Sequence, residues 1–366
     1  MKIAQIAPVV ESVPPKTYGG TERIIYHLTE ELVKRGHEVT LFAAGGSRTS
    51  AKLVSVTDAP LREIKGEKDI YGFNTTSMLN LGLAYSMHDR FDIIHDHNPH
   101  MGLPTANLVP TPVVMTWHGP YDEKIMRYFS MLNKPKLISI SRSQAERAPG
   151  LNFIGTVYNG LPMEHFPFSE NPDDYLLFVG RIDKQKGVHH AIDAAMQAGM
   201  RLIIAAKADT SVPEIKKYFD GYIRPRLQKY KGKVEWVGEV NEEARNILMS
   251  KAKGLLHAVT WPEPFGLTLI ETMACGTPVI AFNMGAIPEI VVNGETGFVV
   301  TDVDQMAYAI GKLHHIDRYA CRKHALENFS SSRMADGYEA IYKKVVAGNM
   351  RAFSPLAHSF SRKHEE

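Results

Sequence analysis

The amino-acid sequence predicts an α/β protein built from two Rossmann-like, doubly wound parallel-sheet domains. Three observations carry this expectation. First, the chain opens with a strand–glycine loop–helix–strand run: Ile3-Ala4-Gln5-Ile6-Ala7, then Gly19-Gly20, a helix over 22–35, and a strand over 39–43. A helix between successive strands implies parallel pairing. Second, the same alternation recurs from residue 175: strand 175–180, a loop with Gly180 and Gly187, helix 188–197, strand 202–206. Third, 366 residues suit two domains of ordinary size.

Composition narrows the class. With 44% hydrophobic and 22% charged residues the chain has the make-up of a globular protein. A net charge of +2 leaves no nucleic-acid footprint. Two cysteines, Cys275 and Cys321, make no disulfide framework and favour a reducing, cytoplasmic setting. No apolar run is long enough to span a bilayer, and the first residues read as a strand rather than a signal peptide. Peripheral membrane contact stays open.

Within the first half, the 22–35 helix presents Ile24, Ile25, Leu28 and Leu32 on one face, and Gly36 closes it. Gly19-Gly20 leaves room for a phosphate at the helix start, without the spacing of a dinucleotide fingerprint. Phe91 to Asn98 reads as a strand running into a loop. His95, Asp96, His97 and His100 suggest a metal site, but alternation puts His95 and His97 on one face and Asp96 on the other. No metal is assigned to them. Strand 112–119 delivers His118 and Gly119 to its C-terminal end, where open parallel sheets bind ligands. A further strand spans 137–141, and the segment from Thr156 to Pro162 follows it.

In the second half, Arg181 and Lys186 sit five apart on a strand-to-helix loop, a planar fork and a compact charge for one anion. A helix is expected near 214–230, a strand over Val234–Gly238, a helix over 242–249 and a strand over 254–258. Next comes Trp261-Pro262-Glu263-Pro264-Phe265-Gly266-Leu267-Thr268-Leu269-Ile270-Glu271, closed by Gly276-Thr277-Pro278. The prolines stiffen the loop around Glu263. Gly266 permits close approach to the backbone. Leu267 to Ala274 has helical spacing, rising roughly 12 Å. A helix N-terminus, with free amides and a positive dipole end, thus lies between Glu263 and Glu271. Strand 277–282, a turn at 285–289 before another helix, a hairpin at 294–300, a helix marked by Met306, Ile310 and Leu313, a helix over 338–347 and a polar tail from 354 complete the chain.

Glu263 and Glu271, with Pro264-Phe265-Gly266, resemble the E-x7-E element of glycosyltransferase family four, retaining enzymes of the GT-B fold. The Gly-Arg-x4-Lys-Gly run at 180–187, His118-Gly119, Gly19-Gly20, Asn159-Gly160 and the 294–300 segment extend the resemblance over nearly the whole chain, most strongly over 175–300. The resemblance implies an N-terminal acceptor domain (1–165), with His95, Asp96, His97 and His100 lining the acceptor cleft, and a C-terminal donor domain (166–337). A last helix (338–353) would pack back on the first domain, ahead of the tail 354–366. It implies metal-independent transfer of a hexosyl group from a UDP- or GDP-sugar to an acceptor hydroxyl, with no cofactor. Glu263 and His118 would hold the sugar; Arg181, Lys186 and the amides of Leu267 and Thr268 the diphosphate; Glu271 the ribose. Val237 and Gly238 would read the base, and Gly19, Gly20, Phe265 and Gly266 would complete the donor site. The same fold also serves nucleotide-sugar epimerases and non-catalytic nucleotide-binding modules. A phosphorylase would need a pyridoxal-binding lysine, for which no motif is present.

Overall fold

The computed structural model describes residues 1–16, 19–64, 70–131 and 136–352. Tyr18, parts of the 66–76 and 119–135 loops and the tail 354–366 lie outside the described residues, wholly or in part. In the first sheet, β1 (Lys2–Ile6), β2 (Glu38–Phe42), β3 (Lys52–Val54), β4 (Ile93–Asp96), β5 (Val113–Thr116), β6 (Lys136–Ser139) and β7 (Phe153–Thr156) run parallel in the order β3-β2-β1-β4-β5-β6-β7. Helices α1 (Gly20–Lys34), α2 (Ile70–Ser86), α3 (Pro99–Ala106), α4 (Glu123–Ser130) and α5 (Arg142–Glu146) connect them.

The second sheet is also parallel, in the order β10-β9-β8-β11-β12-β13. Its strands are β8 (Leu176–Arg181), β9 (Leu202–Lys207), β10 (Val234–Gly238), β11 (Gly254–His257), β12 (Val279–Phe282) and β13 (Gly297–Val300). Its helices are α6 (Val188–Gln197), α7 (Pro213–Tyr218), α8 (Arg224–Lys229), α9 (Glu242–Lys251), α10 (Leu267–Ala274), α11 (Ile287–Ile290), α12 (Val303–Ile310) and α13 (Arg318–Asn328). The last helix, α14 (Ser331–Ala352), returns to the first sheet. Its Tyr338, Tyr342 and Val345 are buried in one core cluster with Ile3, Ile24 and Val114. In each sheet the strand order reverses beside the first strand, β1 or β8, which is where doubly wound sheets open a crevice.

Two chain crossings join the halves side by side. The Leu161 amide donates to Phe329 O at 3.0 Å, and the Ser331 amide to Leu161 O at 2.8 Å. A Cβ on Gly160 would meet Ser330 O at 2.3 Å, so the close approach requires glycine there. Glu289, on α11 of the second half, accepts from the Arg142 and Ser143 amides at the start of α5 (2.9 and 2.7 Å) and from the Tyr158 hydroxyl at 2.8 Å. A carboxylate on a helix N-terminus of the opposite domain is a directional clasp.

Several elements differ from expectation for physical reasons. The 294–300 segment is no hairpin: α11 delivers it as a parallel edge strand, pairing Val279 with Gly297. The expected 214–230 helix is broken by a π turn at Phe219–Ile223. Pro225 cannot donate the amide that an α-helix would need there. Residues 285–289 are partly helical, within α11. Cys275 is the C-cap of α10, and both cysteines are buried and free. Helix α14 begins at Ser331, seven residues early, and α13 carries too weak an apolar stripe to be read.

Replacing Glu289 with alanine removes its hydrogen bonds from the two α5 amides and the Tyr158 hydroxyl and the one from Arg142 Nε at 3.4 Å, four across the domain junction. The expected loss is about 1–2 kcal/mol of unfolding free energy, measured by denaturant titration; an unchanged midpoint would contradict the clasp.

Candidate active site

Every predicted site residue lies at or beyond the C-terminal end of a strand except Gly19 and Gly20, which open α1, and Leu267, Thr268 and Glu271, within α10. The loop after β8 is built first. Asp183 caps its short turn by accepting from the Gln185 amide at 2.8 Å. Gly187 adopts φ 68°, and a Cβ there would lie 1.8 Å from Ala258 O. Only glycine lets this loop dock on the segment leaving β11, where the Thr260 amide donates to Gln185 O at 2.8 Å. That docking brings Lys186 to Glu263, Nζ to Oε2 at 2.8 Å, with the ammonium 4.9 Å from the centre of the Trp261 ring.

The Glu263 loop is fixed from three sides. The Ala286 amide donates to Glu263 O at 2.9 Å. Phe265 is buried between Tyr158 and Phe329, with ring centroids 6.1 and 6.0 Å away. Its side chain is therefore an anchor, and only its backbone is placed to meet a ligand. Ser141, at the start of α5, donates to Pro264 O at 2.7 Å. Gly266, at φ 97°, then turns the chain into α10 without a side-chain cap, so the first-turn amides have no partner within the helix.

Glu271 is nearly fully buried. Its Oε1 accepts from Arg23 of α1 at 2.5 Å and from Arg245 of α9 at 3.3 Å. Burial pushes its carboxyl up, but Arg23 and Arg245 outweigh burial and the net shift is downward. Arg23 also reaches Glu242 at 3.3 Å. The start of α1 touches the start of α10: a Cβ on Gly20 would lie 3.4 Å from Leu267 Cδ1. Two helix N-termini, one from each domain, thus meet here, with Gly19 packed beneath against Pro15.

Between the domains lies a cavity of about 1130 Å³ lined by Arg23, Arg181, Lys207, Arg245, Thr268 and Glu271, among others. Arg181, Thr268 and Glu271 are thus brought to one space. Val237 and Gly238 do not line it; they end the edge strand β10 just ahead of the lining residues Glu239, Val240 and Asn241. Lys186, Glu263 and His118 belong to adjoining loops. The His118 loop is tied to the Glu263 loop through α5: Gln144 Nε2 donates to Trp117 O and Gly119 O, both at 2.8 Å, and the Gln144 backbone amide donates to Ser141 Oγ at 3.0 Å.

The expectation that His95 and His97 line a cleft is overturned. Both are buried, and His95, wholly enclosed, lies against Tyr338 and Tyr342 of α14. Burial pushes His118 down to about 4 and His95 and His97 well below the usual range, so all three are neutral at physiological pH. Asp96 faces the other way, toward Tyr85, at 2.9 Å. Among the described residues no three His, Cys, Asp or Glu side chains are grouped to hold a metal ion. His257, at the end of β11, is buried with Nε2 unpartnered among the described residues, and burial pushes it to about 4.

Sequence reasoning missed Arg23, Arg245, Gln144, Ser141 and His257. Arg23 and Glu271 are 248 positions apart, and nothing local marks such a pair. Asn241 and Glu242, capping α9, were the one available hint that Arg245 starts a helix aimed at α10.

The two parallel sheets facing across this cleft define a class first: the chain has the GT-B fold, and it superposes on solved glycosyltransferase structures. Sucrose-phosphate synthase from Thermosynechococcus elongatus matches with a TM-score of 0.76 at 20% identity, over 95% of this chain and 99% of that one. Anabaena HepE in complex with UDP and glucose matches with a TM-score of 0.71 at 19% identity, over 94% and 100%. Family models place the chain more closely. Residues 18–152 match "Glycosyltransferase Family 4" and residues 164–322 "Glycosyl transferases group 1". The chain belongs to glycosyltransferase family four. Among its relatives, the alpha-maltose-1-phosphate synthase of Mycolicibacterium smegmatis is 26% identical over 94% of this chain and all of that one.

Arg23→Ala leaves Glu271 with one cation. Because the carboxyl is held below its ordinary 4.5, its stabilising contribution is present above that pH and lost as the pH falls through the lowered value. The variant is therefore expected to lose roughly 1–3 kcal/mol at pH 7, with the gap to wild type closing under acid conditions. Chemical denaturation at both pH values checks this; a gap independent of pH would contradict it.

Proposed function

We propose that the enzyme transfers a hexosyl group from a nucleotide diphosphate sugar, with UDP or GDP as the nucleotide, to an acceptor hydroxyl with retention of anomeric configuration. One observation carries the proposal. The N-terminus of α10 opens between two carboxylates, each already neutralised by cations: Glu263 by Lys186, and Glu271 by Arg23 and Arg245. A diphosphate placed there meets amides, a dipole end and Arg181 without facing bare negative charge. The complexes of Anabaena HepE with UDP and with UDP-glucose support the choice of ligand class.

In this reading Glu271 accepts from the ribose hydroxyls. Glu263 and the neutral His118 hold the sugar. As the bond from C1 to the diphosphate oxygen lengthens, negative charge grows on the leaving group, where Arg181, Lys186 and the Leu267 and Thr268 amides stabilise it. The acceptor oxygen bonds to C1 from the leaving-group side, and its proton passes to a diphosphate oxygen. The closed cleft keeps water from taking the acceptor's place.

A thermal-shift panel of UDP- and GDP-sugars tests donor binding. At 100 times Kd a donor adds about 2.7 kcal/mol, a rise of a few degrees in Tm; no shift with any member contradicts the reading. Arg181→Ala is expected to lower kcat by roughly 100-fold or more with KM little changed, whereas Glu271→Ala should raise KM for the donor most. Wild-type kinetics in both variants would remove the site assignment.

A further inference from the structure

A continuous set of buried hydrogen bonds runs from His118 to the last helix. His118 Nε2 lies 3.0 Å from His97 Nδ1, and His97 Nε2 lies 2.7 Å from Gln5 Oε1. Gln5 Nε2 donates to the Tyr342 hydroxyl at 3.1 Å. That hydroxyl lies 2.6 Å from His95 Nδ1, and His95 Nε2 lies 2.8 Å from Thr116 Oγ1. Each link determines the next. Because the Gln5 amide nitrogen is spent on Tyr342, its oxygen accepts, so His97 carries its proton on Nε2. Neutral His97 then offers a lone pair at Nδ1, which requires His118 to donate from Nε2. Tyr342, having accepted, donates to His95 Nδ1, and His95 donates from Nε2 to Thr116. No donor faces a donor anywhere along the set.

We propose that Tyr342, on α14, is a positioning residue for sugar transfer. Acting through Gln5 and His97, it fixes the His118 proton on Nε2 and leaves Nδ1 as a lone pair. Nδ1 has no partner among the described residues, and the His118 ring is only half-buried. A lone pair there accepts from a sugar hydroxyl; a proton there would donate to the hydroxyl oxygen instead, reversing the bond and turning the sugar's own O–H away. This rests on the assignment of His118 to the donor sugar. It gives the return of α14 to the first domain a chemical consequence as well as a packing one.

Selective ¹⁵N-histidine labelling of the full chain, with long-range proton–nitrogen correlation, reads the tautomer in the unliganded protein; His118→Asn assigns the signal. Wild type is expected to show His118 protonated at Nε2. Tyr342→Phe frees the Gln5 amide to turn over, so His118 should become a mixture of tautomers, with kcat falling roughly fivefold at unchanged donor KM. Gln5→Glu keeps an acceptor toward His97 and should preserve the wild-type tautomer. A wild-type His118 protonated at Nδ1, or an unchanged spectrum in Tyr342→Phe, overturns the proposal. A shifted tautomer with unaltered kcat also overturns its catalytic half, and separates that failure from failure of donor binding, which the thermal-shift panel reads independently.

Discussion

Charge neutralisation at the start of α10 is the constraint on which the rest of the molecule depends. An eight-residue helix with no side-chain cap leaves its first amides open, and the chain places a carboxylate before it and another along it. Two such acids beside an anion seat would defeat it. The structure answers with cations drawn from elsewhere: Lys186 from the loop after β8, Arg245 from α9, Arg23 from the other domain. Each needs its own backbone arrangement. Gly187 lets the Lys186 loop descend onto β11, and the Gly19-Gly20 turn lets α1 bring Arg23 against α10.

Domain pairing follows from the same place. Arg23 to Glu271, Ser141 to Pro264 and the α5 amides to Glu289 all cross between the halves, ending in α10, in the loop before it and in α11. The apolar core is continuous across the junction through Leu161, Phe265 and Phe329. The cleft is thus held by polar contacts at its mouth and by packed aromatic rings at its base. Opening at the mouth need not disturb the base.

Much of this was legible in the sequence because the signals were local. The α10 helix was read to the residue, since Gly266, the apolar spacing and the Gly276–Pro278 exit all lie within one window. The parallel sheets followed from strand–glycine–helix alternation. What escaped reading was of two kinds. Arg23, Gln144 and Arg245 act through partners far along the chain, and no periodicity announces them. His95 and His97 were read as cleft residues through the resemblance; alternation gives their shared face but not what covers it, and α14 covers His95. The 294–300 segment has hairpin-like glycines, yet Gly297 serves a different need: a Cβ there would lie 1.8 Å from Val279 O, so it permits close parallel pairing.

The most direct measurement is a crystal structure of the protein soaked with UDP or GDP. The account predicts diphosphate oxygens within hydrogen-bonding distance of the Leu267 and Thr268 amides and of Arg181, with ribose hydroxyls on Glu271. A nucleotide bound elsewhere in the cleft, leaving the α10 N-terminus unfilled, would contradict it.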